Sequence, residues 1–293
     1  MNNPAPFFSI IIPTYNHAQL IGRCIDSLLS QTYQNWEAVI VNNFSEDNTI
    51  EIVEAYNDSR IRLINNANNG IIAVSRNKGL SEAKGDWVCF LDSDDWWYPD
   101  KLEVSLQYMN DYDLLHHDLD IYTSIGKSNK VAKGRDLKDN FYKDLLINGN
   151  AIVNSSVIIK KEIIDSVGKI SEDKMLIAVE DYDYWIRVSE ITNSFKYINK
   201  SLGAYWVGGN ISYSTKQIER EEFILNKYIN SLKDDEKKEA VFRFNFESAR
   251  RWHSFYMFNE AKKAYLKSIN SARINFKIKS LIGYLFSSFK IKI

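Results

Sequence analysis

Four short apolar runs separated by helix-length segments occupy the first hundred residues, and that alternation limits the fold more than any other feature. "FFSIIIP", "WEAVIV", "RIRLIN" and "DWVCFLD" are rich in β-branched and aromatic residues, the composition of buried strands. Pro13 closes the first run, since proline cannot donate within a central strand. Between the runs, "AQLIGRCIDSLLSQ" puts Leu20, Ile21, Cys24, Ile25, Leu28 and Leu29 on one helical face. "DNTIEIVEAYN" turns Ile50 and Val53 inward, with Ile52 a further candidate, and "IIAVSRNKGLSEAKG" reads as a third helix closed by Gly85 at C′. The order β-α-β-α-β-α-β predicts an α/β fold with a doubly wound, mostly parallel sheet and right-handed crossovers. Ligands of such sheets bind outside the carboxyl ends of the strands. The informative residues are therefore those that follow each run.

Two strand ends carry polar clusters. In "VIVNNFSEDNT" a β-branched run stops at Asn42-Asn43. A carboxylate only accepts hydrogen bonds, whereas an amide accepts and donates. The Asn43 amide therefore offers a ligand at this strand end both an acceptor and a donor. In "CFLDSDDWWYPDK", Asp92, Asp94 and Asp95 fall within four residues. Carboxylates this close resist ionising beside one another. A divalent cation relieves the repulsion, and hard oxygen ligands suit Mg²⁺ or Mn²⁺, which usually bridge to phosphates. An acidic turn capping the helix after Pro99 is the other reading of these residues.

Downstream, "LLHHDLDIYT" and "NAIVNSSVIIKK" read as strands, Lys127–Lys138 as an exposed loop, and "EDYDYWIRVSEI" as a helix. Adjacent strand residues face opposite ways, so His116 and His117 read as structural rather than as a metal pair. Asp181 and Asp183 would suit the first turn of a helix on dipole grounds alone. Beyond about Ser212 the pattern is helical throughout.

At 293 residues and 45% hydrophobic, the chain has room for a sizeable core. Cys24 and Cys89 are isolated in apolar contexts, which excludes a disulfide framework and points to a reduced, cytosolic compartment. The start "MNNPAPFFSIIIP" lacks a basic n-region, and its apolar run is too short for a signal peptide. No stretch reaches the ~20 apolar residues of a membrane span. The net charge of −1 conceals an asymmetry: Lys262, Lys263, Lys267, Arg273, Lys277, Lys279, Lys290 and Lys292 face no acidic residue from Ala261 onward. In "SLIGYLFSSFKIKI", Leu281, Ile282, Leu285, Phe286 and Phe289 share a helical face flanked by lysines. Such a face suits an anionic membrane surface or packing on the rest of the chain. No groove-reading motif accompanies the basic residues, so nucleic acid is not an expected partner.

Taken in order, "SIIIPTYN", "LLSQTYQNWEAVIVNN", "NNGIIAVSRNKGLSEAKGDWVCFLDSDDWWYPDKLE" and "EDYDYWIRV" make residues 7–212 resemble glycosyltransferase family 2, enzymes of GT-A fold that use nucleotide sugars. The resemblance implies a catalytic domain over 1–212, with a nucleotide-sugar half to about 100 and an acceptor half beyond it. A helical region with a basic amphipathic tail follows over 213–293. It implies that Pro13, Thr14 and Tyr15 line the nucleotide site, with Tyr15 against the base. Asn43 stands where relatives carry the second Asp of a pair that contacts the base, and Phe44 where they carry Gly. Arg76 is implied near the base or diphosphate. Asp92-Ser93-Asp94 matches the DxD element, with Asp92 on the ribose and Asp94 holding Mn²⁺ or Mg²⁺ on the diphosphate. Asp181 matches the general base of inverting enzymes, and Glu180 completes the ED pair. On the acceptor side, Glu180, Trp97 and Trp185 are the candidates, and aromatic faces suit sugar rings. A His common in relatives is replaced in "AYWVGGNIS" by Trp206 and Gly208. That loads the phosphate charge onto the metal, Arg76 and backbone N–H groups around Gly208-Gly209.

The expected function is metal-dependent, inverting transfer of a sugar, most simply from a UDP-sugar, to a hydroxyl of a saccharide acceptor. The family adds a lipid-linked acceptor, as in bacterial surface polysaccharide assembly, and a place at the inner face of the membrane. Two alternatives compete. A nucleotidyltransferase shares the sheet and the metal carboxylates but leaves "EDYDYW" idle. A non-catalytic, membrane-docked scaffold would explain Asn42-Asn43.

Overall fold

The structure, a computed structural model, describes residues 5–208 and 214–291. The boundary expected at Ser212, Gly209 of the expected phosphate contacts and Lys292 of the tail lie outside the described residues. The first strands and helices alternate as the sequence predicts: β1 (Phe8–Thr14), α1 (Ile21–Leu29), β2 (Trp36–Asn42), α2 (Thr49–Ala55), β3 (Ile61–Asn65), α3 (Ile72–Glu82) and β4 (Trp87–Phe90). They continue with β5 (Trp96–Trp97), α4 (Lys101–Leu106), β6 (Leu114–Thr123), β7 (Gly126–Ala132), α5 (Phe141–Asn148), β8 (Ile158–Lys160), α6 (Lys161–Val167), α7 (Glu180–Ile191) and β9 (Phe195–Trp206). The last four helices are α8 (Lys216–Tyr228), α9 (Asp234–Ser254), α10 (Phe258–Ser268) and α11 (Ile274–Ser288).

The chain divides into two compact units, Met1–Leu137 with Ala151–Gly209, and Lys138–Asn150 with Asn210–Ile293. The first holds one sheet in the order β3-β2-β1-β4-β8-β6-β9-β5, with β7 on β6. Strands β3, β2, β1 and β4 run parallel. β8 is antiparallel to its neighbours, while β6 and β9 pair in parallel. Every residue of β1, β2 and β4 is buried, which is why these runs are apolar without alternation. Polar intruders are satisfied: Ser9 Oγ donates to Glu37 Oε1 at 2.7 Å and accepts from the Gly85 N–H at 2.8 Å. Pro13 lies inside β1. Its nitrogen points toward β4, whose pairing ends at Ile11↔Phe90, so no ladder bond is lost.

Four local expectations change. Helix α3 ends at Glu82, and Gly85 is not its cap; a Cβ there would lie 2.5 Å from Phe7 O and 2.7 Å from Ser9 N. The glycine lets the backbone cross β1 closely. Of the stretch expected as an exposed loop, residues 127–132 belong to β7, which pairs antiparallel with β6 from Thr123↔Gly126, and residues 133–138 form no helix or strand; the polarity of β7 marks an edge strand wetted on both sides. Of "NAIVNSSVIIKK", only Ile158–Lys160 is strand, because Asn154–Ser156 make a 3₁₀ turn. The twelve-residue β9 has no counterpart in the sequence reading, its alternation being broken at Asn199-Lys200.

The second unit is helical in its described residues. Phe246, Ala249, Ala261, Ala264 and Tyr265 form its small core, covered by Trp252, Phe276 and Tyr284.

Candidate functional site

The sheet order places its switch point between β1 and β4, where successive crossovers leave in opposite directions. A crevice at the strand ends follows from that topology. The loop after β1 is held by the polar cluster after β2. Ser45 Oγ accepts the Asn16 N–H at 2.9 Å, Thr49 Oγ1 the His17 N–H at 3.0 Å and Asp47 Oδ2 the Ala18 N–H at 3.0 Å. The loop after β4 is joined to it by His17, whose Nδ1 lies 2.7 Å from Ser93 Oγ. The sequence reading missed His17; its place directly after "PTYN" was the available signal.

Asn42 and Asn43 have separate tasks. Asn42 is fully buried; its Nδ2 donates to Asn65 Oδ1 at 2.7 Å and its Oδ1 accepts from Ser45 Oγ at 2.6 Å. Asn43 is only partly buried, and its Oδ1 accepts the Asn68 N–H at 2.8 Å. A flipped amide would set N–H against N–H, so the orientation is fixed. Its Nδ2 has no partner among the described residues and is the group left to offer. The neighbouring Phe44 has φ +53° and is 58% exposed. The left-handed backbone there favours Gly over a residue with a Cβ. Tyr15, at 47% exposure, stands open at the end of β1, while Thr14 is buried.

The Asp triplet after β4 also divides. Asp92 Oδ1 accepts from Arg76 Nη2 at 2.7 Å and from Asn154 Nδ2 at 3.3 Å, and its N–H donates to Ser155 Oγ at 3.1 Å. The Asp94 carboxylate is held by its own backbone N–H, while burial and the Asp92 charge push its pKa up to about 7. Asp95 is fully buried and accepts the Trp206 N–H at 2.8 Å. It fastens the loop to β9, with burial and the Asp94 and Asp92 charges pushing its pKa well up. Arg23, a second residue missed from sequence, donates to Asp94 O at 2.8 Å and lies 3.7 Å from the Trp96 ring centroid and 4.9 Å from that of Trp206.

Arg76, buried on α3, joins this loop to α7. Its Nη1 donates to Glu180 Oε1 at 2.5 Å while Nη2 holds Asp92. Burial opposes its charge, but Asp92 and Glu180 outweigh that and raise its pKa. Asp181 follows Glu180 in the first turn of α7. Burial and the Glu180 charge lift its pKa to about 7, against the pull of Arg76 and the Tyr182 N–H. The turn feeding α7 contains Ala178 at φ +64°, a strained conformation for a Cβ-bearing residue.

Other sequence candidates fall elsewhere. Trp97 is 2% exposed, and its Nε1 donates to Ser155 O at 2.8 Å. Trp185 is 1% exposed, packed edge-on against Phe90 and Tyr184. Neither ring offers a face to solvent. His116 and His117 are buried, and burial drives both pKa values down, that of His116 to about 3. They stay neutral.

For a divalent cation, the donor set is small. Among the described residues no group of three or more His, Cys, Asp or Glu is placed so that it could hold a metal ion. A Mg²⁺-type site needs no such cage, since one or two carboxylates and substrate phosphates suffice. Asp94 fits: its carboxylate is available, and a cation would relieve its repulsion with Asp92.

The glycosyl transferase family 2 model matches residues 9–164, more than half of the chain. The chain belongs to glycosyl transferase family 2. The putative teichuronic acid biosynthesis glycosyltransferase TuaG of Bacillus subtilis is 42% identical over 111 residues, 37% of this chain and 44% of that one. The Escherichia coli UDP-Glc:alpha-D-GlcNAc-diphosphoundecaprenol beta-1,3-glucosyltransferase WfgD is 44% identical over 101 residues, 34% of this chain and 40% of that one. The match thus spans less than half the length of either relative. S. aureus TarS 1–349 superposes with a TM-score of 0.61 at 19% identity, covering 97% of this chain and 90% of that one, and has also been crystallised with UDP. The family 2 chain has the GT-A type of fold, an α/β sheet followed by helices.

Proposed function

We propose that this family 2 chain is an inverting glycosyltransferase of polysaccharide biosynthesis, moving a sugar from a UDP-sugar to a hydroxyl of a saccharide acceptor. The observation that carries the proposal is Arg76. By pairing with both Asp92 and Glu180, it ties the end of β4 to the first turn of α7 and sets Asp181 beside the DxD loop. A nucleotidyltransferase would need only the former.

In this reading Tyr15 faces the base, with Pro13 and Thr14 shaping the floor of its site. Asn43, its oxygen pinned by Asn68, donates from Nδ2 to a pyrimidine carbonyl. Asp92 reaches the ribose, and Ser93 is set by His17. Asp94, together with the donor diphosphate, would hold Mn²⁺ or Mg²⁺, which stabilises the charge of the departing diphosphate. Asp181 takes the proton of the acceptor hydroxyl as the oxygen attacks the anomeric carbon. A single base on the face opposite the leaving group gives inversion, by the logic of inverting hydrolases. A pKa near 7 suits a group that must be ionised yet basic at neutral pH. Glu180 fixes Arg76 and borders the acceptor side. With Trp97 and Trp185 buried, their contribution there is to support the site's walls from behind.

The name of WfgD specifies a diphosphoundecaprenol-linked acceptor, and TarS was crystallised with UDP and with UDP-GlcNAc. The WfgD name supports a UDP-sugar donor and a lipid-linked acceptor, and the TarS complexes support the donor alone; in this reading the two substrates would meet in the cytoplasm at the inner face of the membrane. The test is a thermal-shift panel of nucleotide diphosphates with Mn²⁺, combined with turnover of Asp181→Asn and Asp94→Ala. The proposal expects UDP to protect wild type and Asp181→Asn alike, while both variants lose transfer. Near wild-type transfer by both variants refutes the site; protection by purine nucleotides alone refutes the donor.

A further inference from the structure

Helix α11 is built inside out. Ser280, Gly283 and Ser287 are buried, while Ile274, Ile278, Leu281, Ile282, Leu285 and Phe289 are 43–73% exposed. The centre of the inward face is made for close approach, while Phe276 and Tyr284 beside it pack on the small core. Ser280 Oγ lies 2.7 Å from Ser268 Oγ, and Ser287 Oγ lies 3.0 Å from His253 Nδ1. A Cβ at Gly283 would come within 2.3 Å of the Tyr265 ring. At about 100° per residue the exposed apolar residues span a contiguous arc of roughly 100°, directly opposite the buried one. A water-facing helix has these two faces the other way round.

The charges specify what covers the arc. Lys277 borders it on one side, and Lys279 and Lys290 on the other, all exposed. No acidic residue occurs after Glu260. Lysines flanking an apolar stripe let the chain sink its stems and keep the ammonium groups at the level of lipid phosphates. Two copies meeting face to face would set the same lysines against one another. No helix among the described residues is long and apolar enough to cross a membrane. At fifteen residues, α11 is about 22 Å long, short of the ~30 Å hydrocarbon core.

We propose that the outer face of α11 is a membrane-docking surface on which the helix lies lengthwise in the interface of an anionic leaflet. This surface stands independently of the transfer chemistry, since none of its residues belongs to the site above.

The test is flotation of the full chain with phosphatidylcholine vesicles, with and without phosphatidylglycerol. Wild type is expected to float with the anionic vesicles and far less with the neutral ones. Leu281→Gln with Leu285→Gln should cut partitioning at least about tenfold, with the thermal melt unchanged because both side chains face solvent. Lys277→Glu with Lys279→Glu should remove the preference for phosphatidylglycerol. The proposal falls if wild type stays unbound, or if the glutamine variant floats as wild type does. It also falls if sedimentation shows a dimer that the glutamine variant dissolves, since the occupant is then a second copy.

Discussion

Replacing Arg76 by Met isolates the ion-pair bridge, because Met keeps the apolar stem and removes only the guanidinium. The Arg76 side chain is 4% exposed, Glu180 6% and Asp92 27%. Breaking a buried pair by removing one partner costs about 3–5 kcal/mol, most of it the charge left behind. Asp92 keeps Asn154 and some solvent, so Glu180 carries most of the penalty and the lower end, about 3 kcal/mol, is expected. Arg76→Met with Glu180→Gln then removes both buried charges and should regain about 2 kcal/mol of that loss. Urea titration followed by tryptophan fluorescence measures both, since Trp97 and Trp185 lie in the same unit. A loss below about 1 kcal/mol for the single variant, or a double variant no more stable than the single, means the pair is solvated and does not bind the DxD loop to α7.

Three further outcomes follow from the same geometry. With the Asp181 pKa lifted to about 7, kcat/KM should fall about tenfold per pH unit on the acid side of neutrality; the same raised pKa means the folded state holds the proton longer, so stability is lost as pH rises toward 7, and Asp181→Asn should be more stabilising at pH 8 than at pH 5. A flat acid limb in the pH–rate profile would remove Asp181 as the base. Asn43→Asp keeps an oxygen for the Asn68 N–H but replaces the Nδ2 donor with a second acceptor facing the pyrimidine carbonyl, so UDP affinity should fall by about tenfold or more; calorimetry showing unchanged affinity would mean Nδ2 does not contact the base. Phe44→Gly relieves about 1–2 kcal/mol of left-handed strain against the extra chain entropy of Gly, and should stabilise by about 0.5–1 kcal/mol in urea; destabilisation would show that the exposed ring packs on something.

The parallel half of the sheet was legible because both faces of β1, β2 and β4 are buried, so each strand is a plain apolar run ending at a polar cluster. The Asp cluster after β4 stood out for a different reason: its carboxylates crowd at a strand end, where solvation alone gives no reason to crowd; Asp181 was named through the family resemblance, since a helix dipole alone accounts for carboxylates in a first turn. The antiparallel half was less so. β7 is polar on both faces, β8 has only three residues, and β9 breaks its alternation, so none shows period 2 over a useful length. Trp97 and Trp185 show a related limit, since an aromatic ring next to a motif can serve it from inside the core as well as from the cleft.

His17 and Arg23 were hidden because their importance is purely tertiary. One reaches Ser93, the other Asp94 O and two indoles, and no local pattern encodes either contact.

For α11 the period identified the apolar stripe, but not which side would be buried. That depended on Tyr265 of α10, whose ring needs a glycine opposite it, and on Ser268 and His253, which take the two serines. Once those small residues are drawn inward, 3.6-residue geometry forces Leu281 and Leu285 outward. The exposed apolar face is therefore not an accident of loose packing. It follows from a well-made polar contact on the other side, and a substitution that improved burial of the leucines would have to break it.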